Sequence, residues 1–203
     1  METSDTFTLL PLNLDPTSKA ISSATPASTA LAEELTALNQ LHRALLGLEA
    51  PHTVPPPPIP VNPKRSAQIT KLRESGNADF RKNKFPEAIR MYSIGIDMAL
   101  GRPGWEPSGL VREEVSALFA NRAQAHMSLQ QWVEGALDAE SSVEMRKVGN
   151  AKAWWRRGKC LQEMGRVEEA SEWVGQALEF EAAEADLLQL KKELDAVLAQ
   201  KGR

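Results

Sequence analysis

The amino-acid sequence predicts an all-α fold: three helical hairpins closed by a capping helix, preceded by a smaller region with one leucine-striped helix. Three observations carry this prediction. Small residues recur at a spacing of twelve in three consecutive stretches after residue 66, apolar residues recur there at helical steps, and ten of the thirteen prolines lie within the first 63 residues with none after Pro107. The expected organisation is an N-terminal partner-binding region over 1–50, a proline-rich linker over 51–65, the hairpins over 66–183 and the capping helix with its tail over 184–203.

In chain order, the stretch TFTLLPLNL reads as an extended segment, and SATPASTALAEELTALNQLHRALLGL reads as a helix. Its Leu31, Leu35, Leu38, Leu41, Leu45 and Leu48 fall at steps of four and three, which lines them along one stripe. A single helix cannot bury its own stripe, so it packs either on the rest of the chain or on another protein. The run PHTVPPPPIPVNP has few backbone donors and favours an extended polyproline II path. It reads as a connector, a packed strap or a ligand for a proline-binding module.

From residue 66 onward a pattern of a small residue, eleven others, a small residue and, four further on, an aromatic or small residue repeats three times. The copies are Gly76, Ala88 and Tyr92, then Ala123, Gly135 and Ala139, then Gly158, Ala170 and Val174. Small residues at such positions let two helices approach closely, and a unit of roughly 34 residues built this way is a tetratricopeptide repeat. The second and third copies are 35 residues apart, whereas the first and second are 47 apart, the excess falling in GRPGWEPSGLVRE, expected as a loop. Turn signals at Asn83-Lys84-Phe85-Pro86, Gln131-Trp132 and Gly165-Arg166 mark the middle of each hairpin. The stretch AAEADLLQLKKELDAVLAQ supplies the cap, with Leu187, Leu190, Leu194 and Val197 as its apolar stripe.

Composition excludes several classes. The 203 residues are 42% hydrophobic and 25% charged, an ordinary globular balance. No apolar run approaches the roughly 20 residues of a membrane span. The acidic start METSDTFTLLPLNLDP lacks the features of a secretory or transit leader, so residence in the cytosol is expected. Cys160 is alone, which excludes an internal disulfide and leaves it as a small buried side chain. The net charge of −3 is uneven: residues 64–100 hold eight basic and four acidic side chains and residues 149–167 hold five and one, while the ends are acidic. Two basic stretches inside an acidic chain mark a local site for an anion.

In such a stack the first helix of each hairpin faces the concave groove. Counting the small residue as position 8, Arg73 stands at 5, Asn77 at 9, Asn121 at 6, Lys152 at 2 and Arg156 at 6. Arg73 with Asn77, and Lys152 with Arg156, are four apart and share a helix face. These five form the candidate peptide-binding site, rich in N–H donors and with only asparagine oxygens as acceptors. Carboxylates are the matching ligand, and a C-terminal aspartate offers two on one residue. Trp155 and Lys159 are further candidates for the same face. A lone arginine or lysine on a helix is ordinarily solvated surface, and the asparagines could satisfy backbone groups; the coincidence of five at registered positions argues otherwise.

The stretches KLRESGNADFRKNKFPEAIRMYSIGI, ALFANRAQAH and AKAWWRRGKCLQEMGRVEEA resemble the carboxylate-clamp repeats of co-chaperones that bind the Glu-Glu-Val-Asp tails of cytosolic heat-shock chaperones. Arg73 stands where that family has lysine, a planar fork in place of a point donor. With FTLLPLNLDP, the leucine helix and PPPPIPVNPKRSAQITKLRESGN, the chain resembles the small cytosolic tetratricopeptide subunit of the fungal post-translational protein-translocation complex. That resemblance implies a peripheral place on the cytosolic face of the endoplasmic reticulum, a small membrane-anchored partner subunit, and a groove receiving chaperone tails. A general co-chaperone unconnected with translocation is the alternative.

Other classes find less support. His42, His52 and His126 are scattered, no phosphate loop or nucleophile-base pair is evident, and neither catalysis nor a cofactor or metal is expected. His126 reads as a packing residue. Nucleic-acid binding lacks stacking aromatics and is opposed by the acidic flanks, and no direct insertion into a membrane is expected.

Overall fold

The computed structural model describes residues 9–48, 54–55 and 57–201. Residues 6–8 of the extended stretch, and residues 51–53 and Pro56 of the proline run, lie outside them. The chain divides into two compact units, 1–58 and 59–203.

In the first unit, strands β1 (Leu12–Leu14) and β2 (Ile21–Ser23) pair antiparallel, Leu12 opposite Ser23 and Leu14 opposite Ile21. The Asp15 carboxylate accepts the backbone N–H groups of Ser18 (2.6 Å) and Thr17 (2.9 Å), which closes the turn and holds its pKa below the ordinary value. Helix α1 runs Thr29–Leu46, capped by Ser28, whose Oγ accepts from the Leu31 N–H. The helix therefore begins later than the periodicity predicts, because Pro26 and the Ser28 cap hold residues 24–28 out of it. Asn39 on α1 brackets Ile21, its Oδ1 accepting the backbone N–H at 2.7 Å and its Nδ2 donating to the carbonyl at 2.8 Å. Leu35 is buried, whereas Leu38 and Leu41 on the same stripe are 41% and 45% exposed.

The second unit contains three helix pairs: α2 (Lys64–Arg81) with α3 (Phe85–Leu100), α4 (Ser108–Ser128) with α5 (Trp132–Met145), and α6 (Ala151–Glu163) with α7 (Val167–Phe180). Helix α8 (Ala185–Lys201) packs on α6 and α7 as the cap. The repeat signature is the contact geometry itself. A Cβ on Gly76 would lie 2.5 Å from Tyr92 Cε1, and one on Gly158 would lie 2.7 Å from Val174 Cγ2. Ala88, Ala123, Ala139 and Ala170 have no exposed surface at all.

All three hairpins also turn identically. Asn83, Gln130 and Gly165, each seven residues after the small residue, adopt φ of 59°, 59° and 76°. The following N–H reaches back to the carbonyl five residues earlier, Lys84 to Asp79, Gln131 to His126 and Arg166 to Leu161, at 2.9–3.0 Å. This is the Schellman ending, in which a left-handed residue satisfies the last helical carbonyls.

Two sequence expectations are corrected. Helix α4 starts at Ser108, so the loop between the first two pairs covers only 101–107, because after Pro107 the one helix-disfavouring residue of SGLVRE, Gly109, falls in the first turn. On α8 the stripe closes with Leu198, which packs on the core, while Val197 is 36% exposed. The short loop is held by Arg102, whose guanidinium has 1% of its side chain exposed. It donates to Glu106 (2.5 Å), to both oxygens of Glu114 (2.6 and 2.9 Å) and to Ser66 Oγ (2.7 Å). Burial by itself lowers this pKa, but the two carboxylates outweigh it and the net shift is upward.

Removing Arg102 strands Glu114 and Glu106, so Arg102→Ala is expected to cost about 3 kcal/mol in chemical denaturation. Gln130 occupies the left-handed region without being glycine, and Gln130→Gly is expected to raise stability by about 0.5–1 kcal/mol, read from the denaturation midpoint.

Candidate peptide-binding groove

The first helices α2, α4 and α6 line one side of the stack, and the five predicted residues converge on it. Arg73, Asn77, Asn121, Lys152 and Arg156 all border a single cavity of about 490 Å³. Their placement follows from the repeat register, since each lies a fixed number of residues from a small residue that sets its helix against the next.

Arg156 is the most constrained of the five. Its Nη1 donates to the Ala120 carbonyl (2.8 Å) and its Nε to Gln124 Oε1 (2.9 Å). Both acceptors are neutral. Burial pushes the guanidinium pKa down, with the nearby Tyr92 acting weakly in the other direction. Arginine nonetheless stays protonated at neutral pH, so the groove holds a partly desolvated cation with no carboxylate paired to it among the described residues. Among the described residues Arg73 and Lys152 likewise have no carboxylate partner.

The two asparagines are joined. Asn77 Oδ1 accepts from the Tyr92 hydroxyl (2.7 Å) and from Asn121 Nδ2 (3.0 Å). Asn77 itself borders the cavity. Tyr92, buried against Gly76, has its pKa pushed up to about 12 by that burial. Sequence reading identified Tyr92 only as a packing residue; the hydroxyl that separates tyrosine from phenylalanine was the available signal.

Helix α6 presents its N-terminus to the cavity through Gly149, Asn150, Ala151 and Lys152. Asn150 anchors this end: its side chain, 7% exposed, donates to the Arg146 carbonyl (2.9 Å) and Ser142 Oγ (3.0 Å), and Ser142 in turn donates to the Ser116 carbonyl (2.8 Å). The positive end of the helix dipole adds to Lys152 in the first turn.

The groove is less one-sided than the sequence suggested. Glu181 and Glu184, from the connection before α8, also line it, with Glu181 Oε1 accepting the Asn150 backbone N–H at 2.9 Å. The asparagine oxygens are therefore not the only acceptors. Trp155 borders an adjoining cavity of about 270 Å³ together with Gln124, Lys152, Arg156 and Leu187. Lys159 borders neither cavity and instead bonds Gln162 Oε1 (2.8 Å) and pairs with Glu163 (2.9 Å). Trp154 is core, its ring 4.3 Å from that of Trp173. Adjacent arginines thus have opposite roles: Arg156 enters the groove, while Arg157 lies 4.1 Å over Trp173 and pairs with Glu140. His126 packs on α5, its Nδ1 2.8 Å from Gln131 Oε1. Among the described residues no group of histidine, cysteine or acidic side chains could hold a metal ion.

Known proteins share this architecture. The ER protein translocation subcomplex subunit sec67 of Schizosaccharomyces pombe is 35% identical over 143 residues, 70% of this chain and 74% of that protein. The heat shock protein sti1 homolog of the same organism is 27% identical over 132 residues, which are 20% of its length. Among solved structures, a chain of the Sec complex from S. cerevisiae aligns over 95% of this chain and 100% of its own, with a TM-score of 0.74 at 23% identity, a likeness of fold. The first tetratricopeptide domain of Spaghetti (RPAP3), bound to the HSP90 peptide SRMEEVD, aligns over 70% of this chain and 98% of its own, with a TM-score of 0.56 at 26% identity. No family model matches the chain.

A half-buried cation without a counterion costs stability. Arg156→Met is therefore expected to leave the melting temperature unchanged or to raise stability by up to about 1 kcal/mol. Low concentrations of sulfate should raise the melting temperature of the wild type more than that of Arg156→Met, as mass action on a bound anion requires.

Proposed function

The chain belongs to the family of the ER protein translocation subcomplex subunit sec67, and on that premise we propose that it is a non-catalytic adaptor of the post-translational translocon. Its groove receives the acidic C-terminal tails of cytosolic heat-shock chaperones and thereby aids delivery of presecretory proteins to the endoplasmic reticulum. The observation that carries this reading is Arg156, held half-buried by neutral groups beside two more unpaired cations, Arg73 and Lys152. A terminal aspartate brings two carboxylates to that point. One is received by Arg73 with the Asn77 and Asn121 amides, the other by Lys152 and Arg156 at the start of α6. Charge-assisted bonds contribute roughly 1.5–3 kcal/mol each, enough together for a dissociation constant on the order of micromolar. The peptide SRMEEVD held by the related RPAP3 domain supports a tail of that chemistry.

The N-terminal unit is the second surface. No described helix is long and apolar enough to cross a membrane, and the proposed tether to the cytosolic face of the endoplasmic reticulum is a small membrane-anchored translocon subunit that covers the exposed Leu38 and Leu41. A general co-chaperone role, favoured by the likeness of the repeats to the sti1 homolog, predicts no such partner.

Calorimetry with a peptide ending Glu-Glu-Val-Asp tests the groove. Asn121→Ala, Arg156→Ala and amidation of the peptide terminus should each weaken binding about tenfold or more; indifference to all three sinks the reading. The double variant Leu38→Asp and Leu41→Asp should lose the membrane-anchored partner in co-purification from solubilised membranes while keeping peptide affinity. Retention of that partner would count against the tether.

A further inference from the structure

An asparagine in a receptor for carboxylates is chemically two-faced. Turned one way its amide donates to the ligand, and turned the other its carbonyl oxygen repels it. We infer that Tyr92 is the positioning residue that settles this for the groove: its hydroxyl, lying beside the space left by Gly76, holds Asn77 Oδ1 so that the amide N–H bonds face the cavity.

The inference rests on the reading of the groove as a tail receptor, and its geometry is independent of any ligand. Two donors converge on Asn77 Oδ1, the Tyr92 hydroxyl at 2.7 Å and Asn121 Nδ2 at 3.0 Å. Asn121 cannot decide the orientation alone, because it is an amide as well and both could turn together and still bond each other. Tyr92 breaks that symmetry. It is 1% exposed, and Asn77 is the acceptor its hydroxyl finds among the described residues. Turning Asn77 over would leave a buried O–H without an acceptor, a costly state. Burial also pushes the Tyr92 pKa up to about 12, so the proton stays in place throughout the physiological range.

The route from α3 to the groove exists because position 76 has no side chain. A Cβ there would meet Tyr92 Cε1 at 2.5 Å, Cδ1 at 2.8 Å and Cζ at 3.0 Å. The glycine that lets α2 and α3 approach also lets a residue of the second helix reach a ligand group on the first. Tyr92 touches no ligand itself; it acts through Asn77.

Tyr92→Phe keeps the ring and removes the hydroxyl. Thermal stability should change little, while affinity for the peptide ending Glu-Glu-Val-Asp should fall about five- to tenfold. In an Asn77→Ala background Tyr92→Phe should have no further effect, and in an Arg156→Ala background its full effect should remain, the coupling expected of a residue acting through Asn77. A loss that persists undiminished in Asn77→Ala overturns the inference. The orientation is read separately in the ligand-free protein, where the assigned Asn77 side-chain amide resonances should shift or broaden in Tyr92→Phe. If they do not move, the positioning role is refuted even when the peptide binds; if they move but the wild type binds no peptide, it is the tail reading that falls.

Discussion

Tetratricopeptide helices can share a ligand only if their backbones run close enough for short polar side chains to meet, and that distance is set by the small residues at positions 76, 123 and 158. Gly76 admits the ring of Tyr92, Gly158 admits Val174, and Ala123 is buried completely. Widening any of these contacts by one methyl would shift a whole helix, since close-packed interiors transmit strain instead of absorbing it. The 3.0 Å bond between Asn77 on α2 and Asn121 on α4 depends on that spacing, and so does the reach of Arg156 from α6 to the Ala120 carbonyl of α4. The groove is thus a by-product of core packing, with no insertion or specialised loop needed to build it.

The same stack sorts its charges by face. Arg102, Arg122 and Arg157 are each matched with carboxylates and hold helices together. Among the described residues Arg73, Lys152 and Arg156 are left without a carboxylate partner along one face, where repulsion among them is tolerated because the rest of the fold is well supported. Glu181 and Glu184 at the α8 end temper the positive field. The charge of the groove is therefore graded along its length, from the cations on α2 and α6 to the two carboxylates before α8.

The helical pairs were legible because close contact demands small residues, and small residues at a constant spacing are visible in any sequence. The five groove positions were legible for the same reason, as offsets from those residues. What escaped is what composition does not encode. Gln130 has no preference for a left-handed backbone, yet it turns as Asn83 and Gly165 do because its repeat imposes the ending. The GRPGWEPSGLVRE stretch looked like one loop because its glycines and prolines drew attention from the helix-compatible residues after Pro107. Glu181 and Glu184 reach the groove only through the turn before α8, and Tyr92 reached it through a glycine. β1 falls in the stretch read as extended, but β2 and its pairing escaped because the strands are three residues each, too short for alternation to register.

That hairpin has an open flank on β2, where the N–H and carbonyl of Ile21 point away from β1. In a sheet of two short strands such a flank is a template for a third strand from any passing chain, the usual route to edge-to-edge aggregation. Asn39 fills it from α1, its amide standing in for the backbone of a neighbouring strand. Strand addition, a common way for one polypeptide to capture another, is closed off at that residue. At that point the unit presents no unpaired backbone, and what α1 offers instead is a side-chain surface on which Leu38 and Leu41 are 41% and 45% exposed.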